Sequence, residues 1–140
     1  MSRANVEAAE RIYAARLRGD VDALLAELHP DVEWRPHLSS LGGGYVRGHA
    51  GVRDYLASLA EEWDDFRQER ERLVDAGDKV VALLNTYGRG RASGVELRAR
   101  VAHVLSFKHG KCVESVTYLD RAEALSAAGL RQRGYGERPQ

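Results

Sequence analysis

The chain has 140 residues, of which 44% are hydrophobic and 30% charged, a length and composition typical of one globular domain. Its 21 basic and 21 acidic residues cancel, so net charge favours neither a nucleic-acid partner nor an anionic membrane. No apolar run approaches the roughly 20 residues of a spanning helix, and the N-terminus lacks a signal peptide's apolar stretch. With Cys112 as its only cysteine, the chain fits a reducing, cytoplasmic location, and its arginine-rich composition suggests a bacterial source.

Two helices are predicted at the N-terminus. The first covers residues 5–17, because apolar residues recur there at three- and four-residue spacing: Val6, Ala9, Ile12, Tyr13 and Leu17. Asp20 can cap a second, short helix that runs to Leu28 and stops at His29-Pro30, since the residue before proline avoids helical angles.

A brief strand at 32–35 and a glycine-rich loop at 39–44 follow, and we expect the loop at the rim of a pocket. A third helix is predicted over residues 49–63, with an apolar stripe at the same helical spacing: Val52, Leu56, Leu59 and Trp63.

The second half of the chain is predicted to be a sheet, because the apolar period changes to two. Three long strands, at 66–75, 79–89 and 95–107, are joined by turn sequences that imply an antiparallel meander. A last strand at 112–119 leads to a capping box at Asp120 and Glu123 for a final helix, which Gly129 ends. The tail at 131–140 lacks periodicity and is predicted to be disordered, so the domain spans 1–130.

This order of elements, together with particular phrases, resembles the nuclear transport factor 2-like superfamily and, within it, the SnoaL-like and ketosteroid-isomerase-like proteins. The phrases are residues 12–15, 18–20, 29–34, 45–48, 93–96, 101–104, 110–111 and 118–125. The resemblance implies an α+β fold, a cone-shaped barrel in which N-terminal helices pack on a curved, mainly antiparallel sheet around an apolar pocket for a small molecule. It also implies a homodimer. Because the superfamily holds isomerases, cyclases, dehydratases, epoxide hydrolases and binding proteins, the fold alone does not select a reaction.

His103 is the leading candidate for chemistry. Side chains alternate along its strand, which places it in an apolar row with Leu97, Ala99, Val101, Leu105 and Phe107. Counted back from Gly110-Lys111 with a one-residue gap, it takes the position of the acid that hydrogen-bonds the substrate oxygen in ketosteroid isomerases. We expect a neutral imidazole bonded to a tyrosine hydroxyl, Asn85 or a ligand. The alternative is a core histidine with a purely structural hydrogen bond.

Other positions of the resemblance match less well. The isomerases' tyrosine falls on Ile12 rather than Tyr13, about 100° away on a helix, which leaves open which of the two faces the pocket. Their general base falls near Arg35 or Pro36, where no carboxylate stands, so steroid-type isomerisation is disfavoured. The Asp-Arg-Asp relay of the superfamily's epoxide hydrolases finds no matching positions. Its dehydratases combine histidine, tyrosine and aspartate.

Those three residue types are offered by His103, by Tyr13 and Tyr118, and by Asp120, although Asp120 is equally suited to cap the last helix. Aromatic side chains suited to a flat apolar ligand, or to the core, are Trp34, Tyr55, Trp63, Tyr87 and Tyr118.

Polar candidates for ligand recognition are Asn85, in the middle of a strand, and Arg35 and His37, which flank the loop. The five histidines form no pair with metal-ligand spacing, so no metal and no cofactor is expected.

The sequence therefore favours cofactor-free acid–base chemistry of the isomerase, cyclase or dehydratase class on a small apolar or cyclic substrate, with His103 moving or donating the proton. A non-catalytic ligand-binding or dimerisation domain is the first alternative, and an epoxide hydrolase the second. Acid–base groups that converge on a cavity of a few hundred Å³ favour an enzyme, whereas a filled cone favours binding or a scaffold.

Overall fold

The computed structural model describes residues 3–36 and 45–130. Within these ranges it contains four helices and six strands. In chain order they are α1 (Arg3–Leu17), α2 (Val21–Ala26), β1 (Leu28–Arg35), β2 (Val46–Arg47), α3 (Gly48–Glu62), β3 (Trp63–Ala76), β4 (Lys79–Gly90), β5 (Glu96–Lys108), β6 (Lys111–Tyr118) and α4 (Arg121–Ala127). No helix in these ranges has the length and apolarity needed to cross a membrane.

The start of β1 differs from the prediction. Asp20 caps α2 as expected, since its carboxylate accepts a hydrogen bond from the Ala23 amide at 3.1 Å. The helix ends at Ala26, however, and the strand begins at Leu28 rather than at residue 32. Its pairing with β6 is irregular between Leu28 and Glu33, where Pro30 has no N–H to donate to the ladder. The proline therefore interrupts a strand instead of ending a helix.

The long meander of β3, β4 and β5 is confirmed, and all its pairs are antiparallel. The full strand order is β2-β1-β6-β5-β4-β3, an open sheet in which β1 pairs parallel with β6. That parallel pair joins the first strand of the chain to the last, and the sequence did not predict it. The sheet curves around the helices, which confirms the predicted cone-shaped α+β fold.

Two apolar layers lie on opposite faces of the central strands. On β4, Val80, Ala82 and Leu84 face the larger core beneath α1, α2 and α3, while Val81 and Leu83 face a smaller cluster under α4. Because the strand is covered on both sides, residues 80–84 are all buried. His103 lies on the face of the sheet that packs against α1, α2 and α3.

Three expectations fall on residues outside the described ranges: the site role of His37, the rim loop at 39–44 and the tail at 131–140.

Candidate functional site

A narrow cavity, here called the inner cavity, lies between α1, α3 and the inner face of the sheet. Its volume is about 30 Å³, which holds one or two waters or one polar group of a ligand. Its walls are Ile12, Tyr13, Arg16, Leu28, Trp34, Pro36, Tyr55, Gln68, His103, Leu105, Cys112, Ser115 and Thr117. Both Ile12 and Tyr13 reach it, which answers the question that the sequence left open.

Tyr13 and His103 are hydrogen-bonded in this cavity. The Tyr13 hydroxyl lies 2.7 Å from Nδ1 of His103, and the two rings are stacked with centroids 5.8 Å apart. The helix α1 supplies the tyrosine, and the centre of β5 supplies the histidine, which is only 6% exposed. Of the partners expected for His103, a tyrosine hydroxyl, Asn85 or a ligand, the structure shows the tyrosine hydroxyl.

Burial keeps both members of the pair neutral. It lowers the pKa of His103 to about 3, helped by the positive charge of Arg16, and it raises the pKa of Tyr13 far above its ordinary value. If the Tyr13 hydroxyl donates to Nδ1, the imidazole carries its proton on Nε2. The nitrogen that remains for a ligand is then a hydrogen-bond donor.

Arg16 is a second functional group of the cavity, and the sequence analysis missed it. One guanidinium nitrogen donates to Oε1 of Gln68 at 3.0 Å, and the group lies 5.6 Å from the centroid of the Trp34 ring. Burial lowers the pKa of Arg16, but an arginine stays charged at neutral pH. Within residues 3–36 and 45–130 no carboxylate forms an ion pair with it.

The signal for Arg16 was present in the helical spacing. It lies three and four residues after Tyr13 and Ile12, on the same face of α1, whereas Leu17, assigned to the apolar stripe, is 59% exposed. A charged residue at an inward position of an amphipathic helix is the pattern that could have identified it.

Trp34 adds an unused donor. Its ring is 7% exposed and meets Tyr55 edge-to-face at 6.1 Å between centroids. Its indole Nε1 is buried, and among the described residues it has no hydrogen-bond partner. Buried donors are nearly always satisfied, so the indole N–H is suited to an acceptor brought by a ligand.

Hydroxyl and amide groups from the sheet complete the polar part of the wall. Thr117 lies directly across from His103 in the β5–β6 ladder, Ser115 lies two residues before it, and Gln68 donates to Thr86 at 3.1 Å. The sequence analysis missed all of them, because β6 shows no clean apolar–polar alternation and Gln68 lies in a run of charged residues on β3.

Asp120 and Tyr118 are two of six described candidates that lie away from the cavity. The carboxylate of Asp120 caps α4 by accepting from the amides of Ala122 and Glu123 at 2.8 and 3.3 Å, so its competing role as a cap is the observed one. Tyr118 packs against the cluster under α4.

Asn85 and Tyr87 lie on the outer face of β4, since they are odd-numbered and the inward residues there are even-numbered. Asn85 donates to Glu71 at 3.4 Å, and Tyr87 packs beneath the guanidinium of Arg67, 4.6 Å from its ring centroid. The structure therefore corrects their assignment to the pocket.

Two further candidates take other places. Arg35 is exposed on β1, 4.9 Å above the ring of Tyr45, and lies near Glu33 and Glu114. Trp63 borders a different cavity, described below. Among the predicted site residues, the inner cavity thus unites Tyr13, Trp34, Tyr55 and His103.

The described walls of the inner cavity carry no carboxylate. In the described part of the chain, no group of three or more His, Cys, Asp or Glu side chains is arranged to hold a metal ion. The cavity can therefore supply hydrogen-bond donors and one fixed positive charge, but its described residues supply neither an aspartate relay nor a carboxylate base.

Residues 9–115 match the model of the SnoaL-like domain family. The match covers most of the chain, and the protein belongs to this family. No match is found among the curated proteins.

Solved structures share the fold. A nuclear transport factor 2-like protein from Burkholderia thailandensis E264 is 30% identical with a TM-score of 0.77, covering 89% of this chain and 96% of that one. TerC, co-crystallised with polyporic acid, is 25% identical with a TM-score of 0.73, covering 90% and 98%. A SnoaL-like polyketide cyclase, so assigned, from Jannaschia sp. CCS1 is 18% identical with a TM-score of 0.71, covering 89% and 91%.

Proposed function

We propose that this protein is a cofactor-free enzyme that binds a small organic molecule in the inner cavity and polarises one of its oxygen atoms through His103. The observation that carries the proposal is the neutral, buried imidazole that is fixed by Tyr13 on one nitrogen and forms part of the cavity wall. The family and fold support a small-molecule pocket of this kind, and TerC, a structural relative, has been co-crystallised with the small molecule polyporic acid.

The electrostatics favour donation over proton abstraction. A pKa of about 3 makes His103 a poor base, and an imidazolium beside Arg16 would place two positive charges in one buried site. As a neutral donor, Nε2–H can stabilise negative charge that develops on a carbonyl or enol oxygen. Trp34 belongs to the same wall, and its buried indole N–H has no partner among the described residues, so we propose it as a second donor.

This chemistry suits isomerisation, cyclisation or elimination next to a carbonyl, in which an enolate-like oxygen forms transiently. Because the described walls offer no base, the α-proton leaves the substrate carbon for a water molecule, for which the cavity has room. Epoxide hydrolysis through an Asp-Arg-Asp relay is less well supported, because the described cavity walls offer Arg16 without a neighbouring aspartate.

The narrowness of the cavity favours a second candidate, a non-catalytic binding domain. A free volume of about 30 Å³ is well below that of typical pockets for drug-sized ligands. On this alternative the Tyr13–His103 bond serves the core alone.

The direct experiment is a screen of small ketones, lactones and epoxides for turnover proportional to protein concentration. Enolisable ketones can be followed in deuterated water by NMR, because exchange of the α-hydrogen reports stabilisation of an enolate whatever product forms. Turnover above the buffer rate supports the enzyme. Binding of panel members without turnover of any supports the alternative.

A further inference from the structure

A second and larger cavity, here called the outer cavity, opens beside the C-terminal end of α1. Its volume is about 380 Å³, which lies within the range of small-molecule pockets. Its walls come from α1, α2, α3 and the start of β3, and they include the apolar side chains Leu24, Leu56, Leu59, Trp63 and Phe66. A ligand there would bury an apolar body.

Arg16 connects the two cavities, because its side chain lines both. The other charged residues of the outer wall are already paired. Arg91 contacts the Asp64 carboxylate at 2.7 Å, and Asp65 contacts Arg67 at 2.7 Å.

Asp20, the remaining charged residue of that wall, caps α2 and lies 3.5 Å from Arg18. Arg16 has only the neutral amide oxygen of Gln68 as a polar partner in the described part of the chain. Arg16 is therefore the one charged residue of the outer wall that no described carboxylate neutralises.

We propose that the outer cavity is a binding site for a small amphipathic organic acid, whose carboxylate or acidic enol oxygen pairs with Arg16 and whose apolar body lies against Leu56, Leu59 and Trp63. The guanidinium uses one nitrogen on Gln68, which leaves other N–H groups free for a charge-assisted bond to an anion. This site does not depend on chemistry at His103.

The experiment compares two probes of the same shape, 4-phenylbutanoate and its neutral amide 4-phenylbutanamide, by isothermal titration calorimetry. A charge-assisted hydrogen bond is stronger than a neutral one, so the wild-type protein should bind the acid at least about tenfold more tightly than the amide. Arg16→Gln should abolish that preference, and Arg16→Lys should retain part of it. Arg89→Gln is the matched control, because Arg89 lies outside the outer cavity and is paired with Glu96, and it should keep the preference.

The location is tested by filling the cavity. Ala60 is exposed on α3 and lines the outer cavity, so Ala60→Phe should fold normally and weaken binding of the acid at least about tenfold. Leu56→Trp provides a second filling variant if the first is unstable. Equal affinity of the wild type for acid and amide, no binding of the acid up to about 10 mM, or full affinity in folded filling variants overturns the inference.

These outcomes are separable from those for the proposed enzyme. A protein that binds the acid in this pattern but turns over no ketone, lactone or epoxide keeps the outer site and loses the proposed activity. If the protein turns over a ketone while Ala60→Phe leaves the affinity for the acid unchanged, the proposed activity is kept and the outer site is lost.

Discussion

The hydroxyl of Tyr13 and Nδ1 of His103, 90 residues apart in the sequence, lie 2.7 Å apart where α1 packs on β5. Each buried polar group satisfies the other, and this bond fixes the histidine ring in the wall of the inner cavity. The bond links α1 to the sheet, so its contribution is measurable as a change in the free energy of unfolding.

Tyr13→Phe should lower the free energy of unfolding by about 1–3 kcal/mol, because it leaves the buried Nδ1 of His103 without its partner. Urea denaturation measures the change. In a His103→Leu background the same substitution should cost at least about 1 kcal/mol less, since the partner is already absent. Tyr45→Phe, at an exposed tyrosine, is the control and should change stability by less than about 0.5 kcal/mol. Equal costs of Tyr13→Phe in both backgrounds would show that the two side chains do not interact.

Because of His103, the free energy of unfolding should fall as the pH is lowered. Below its ordinary value of 6.5 the unfolded chain binds a proton there, while the folded protein, with a pKa of about 3, does not. The contribution is therefore fully present above pH 6.5 and is lost between pH 6.5 and about 3, at up to about 1.4 kcal/mol per pH unit.

Denaturation curves of the wild type and of His103→Asn across that window measure this contribution. The difference between the two curves should shrink steadily as the pH falls. His109→Asn, at an exposed turn histidine, is the matched control and should run parallel to the wild type. A constant difference between wild type and His103→Asn would mean that folding does not lower the pKa of the imidazole.

Cys112 should be unreactive in the folded protein. Its side chain is fully buried, and burial raises the pKa of the thiol to about 12, so almost no thiolate is present near neutral pH. We expect the thiol reagent DTNB to label it only after unfolding in guanidinium chloride. Rapid stoichiometric labelling without denaturant would contradict this burial.

Much of the fold follows from sequence periodicity, whereas the site follows only in part. The first half of β5 alternates clearly, and β3, β4 and β5 are joined by glycine-containing turns, so their antiparallel order was predictable. The parallel pairing of β1 with β6 was not, because it joins segments far apart in the chain through backbone groups that every residue carries. Pro30 added to the difficulty, since it signals a helix stop and occurs here within a strand.

Within the site, His103 was identifiable because its strand places one imidazole in an apolar row. Asn85 and Tyr87 were assigned to the wrong face of β4, since that strand is covered on both sides and its sequence does not distinguish them. Arg16 was missed because long charged side chains are usually solvent-exposed. Its inward direction depends on how α1 is rotated on the sheet, and that rotation is set by tertiary packing.

A homodimer remains a prediction. Long strands leave part of the outer sheet face uncovered by α4, and we predict that two chains pair through this surface, so the mass in solution should be about twice the 15.5 kDa of the chain. Multi-angle light scattering measures it. A monomer at micromolar concentration would contradict the prediction.

The central claim is that Nε2 of His103 acts on the substrate, and turnover in a matched pair of variants tests it most directly. The amide of asparagine replaces the Nδ1 side of the ring and removes Nε2, whereas the longer glutamine places an amide N–H nearer the Nε2 position. With any substrate from the screen, His103→Asn should keep the fold and ligand affinity within about tenfold while lowering turnover by roughly a hundredfold or more, and His103→Gln should retain more turnover. Unchanged turnover in folded His103→Asn would contradict the claim and assign His103 to the core.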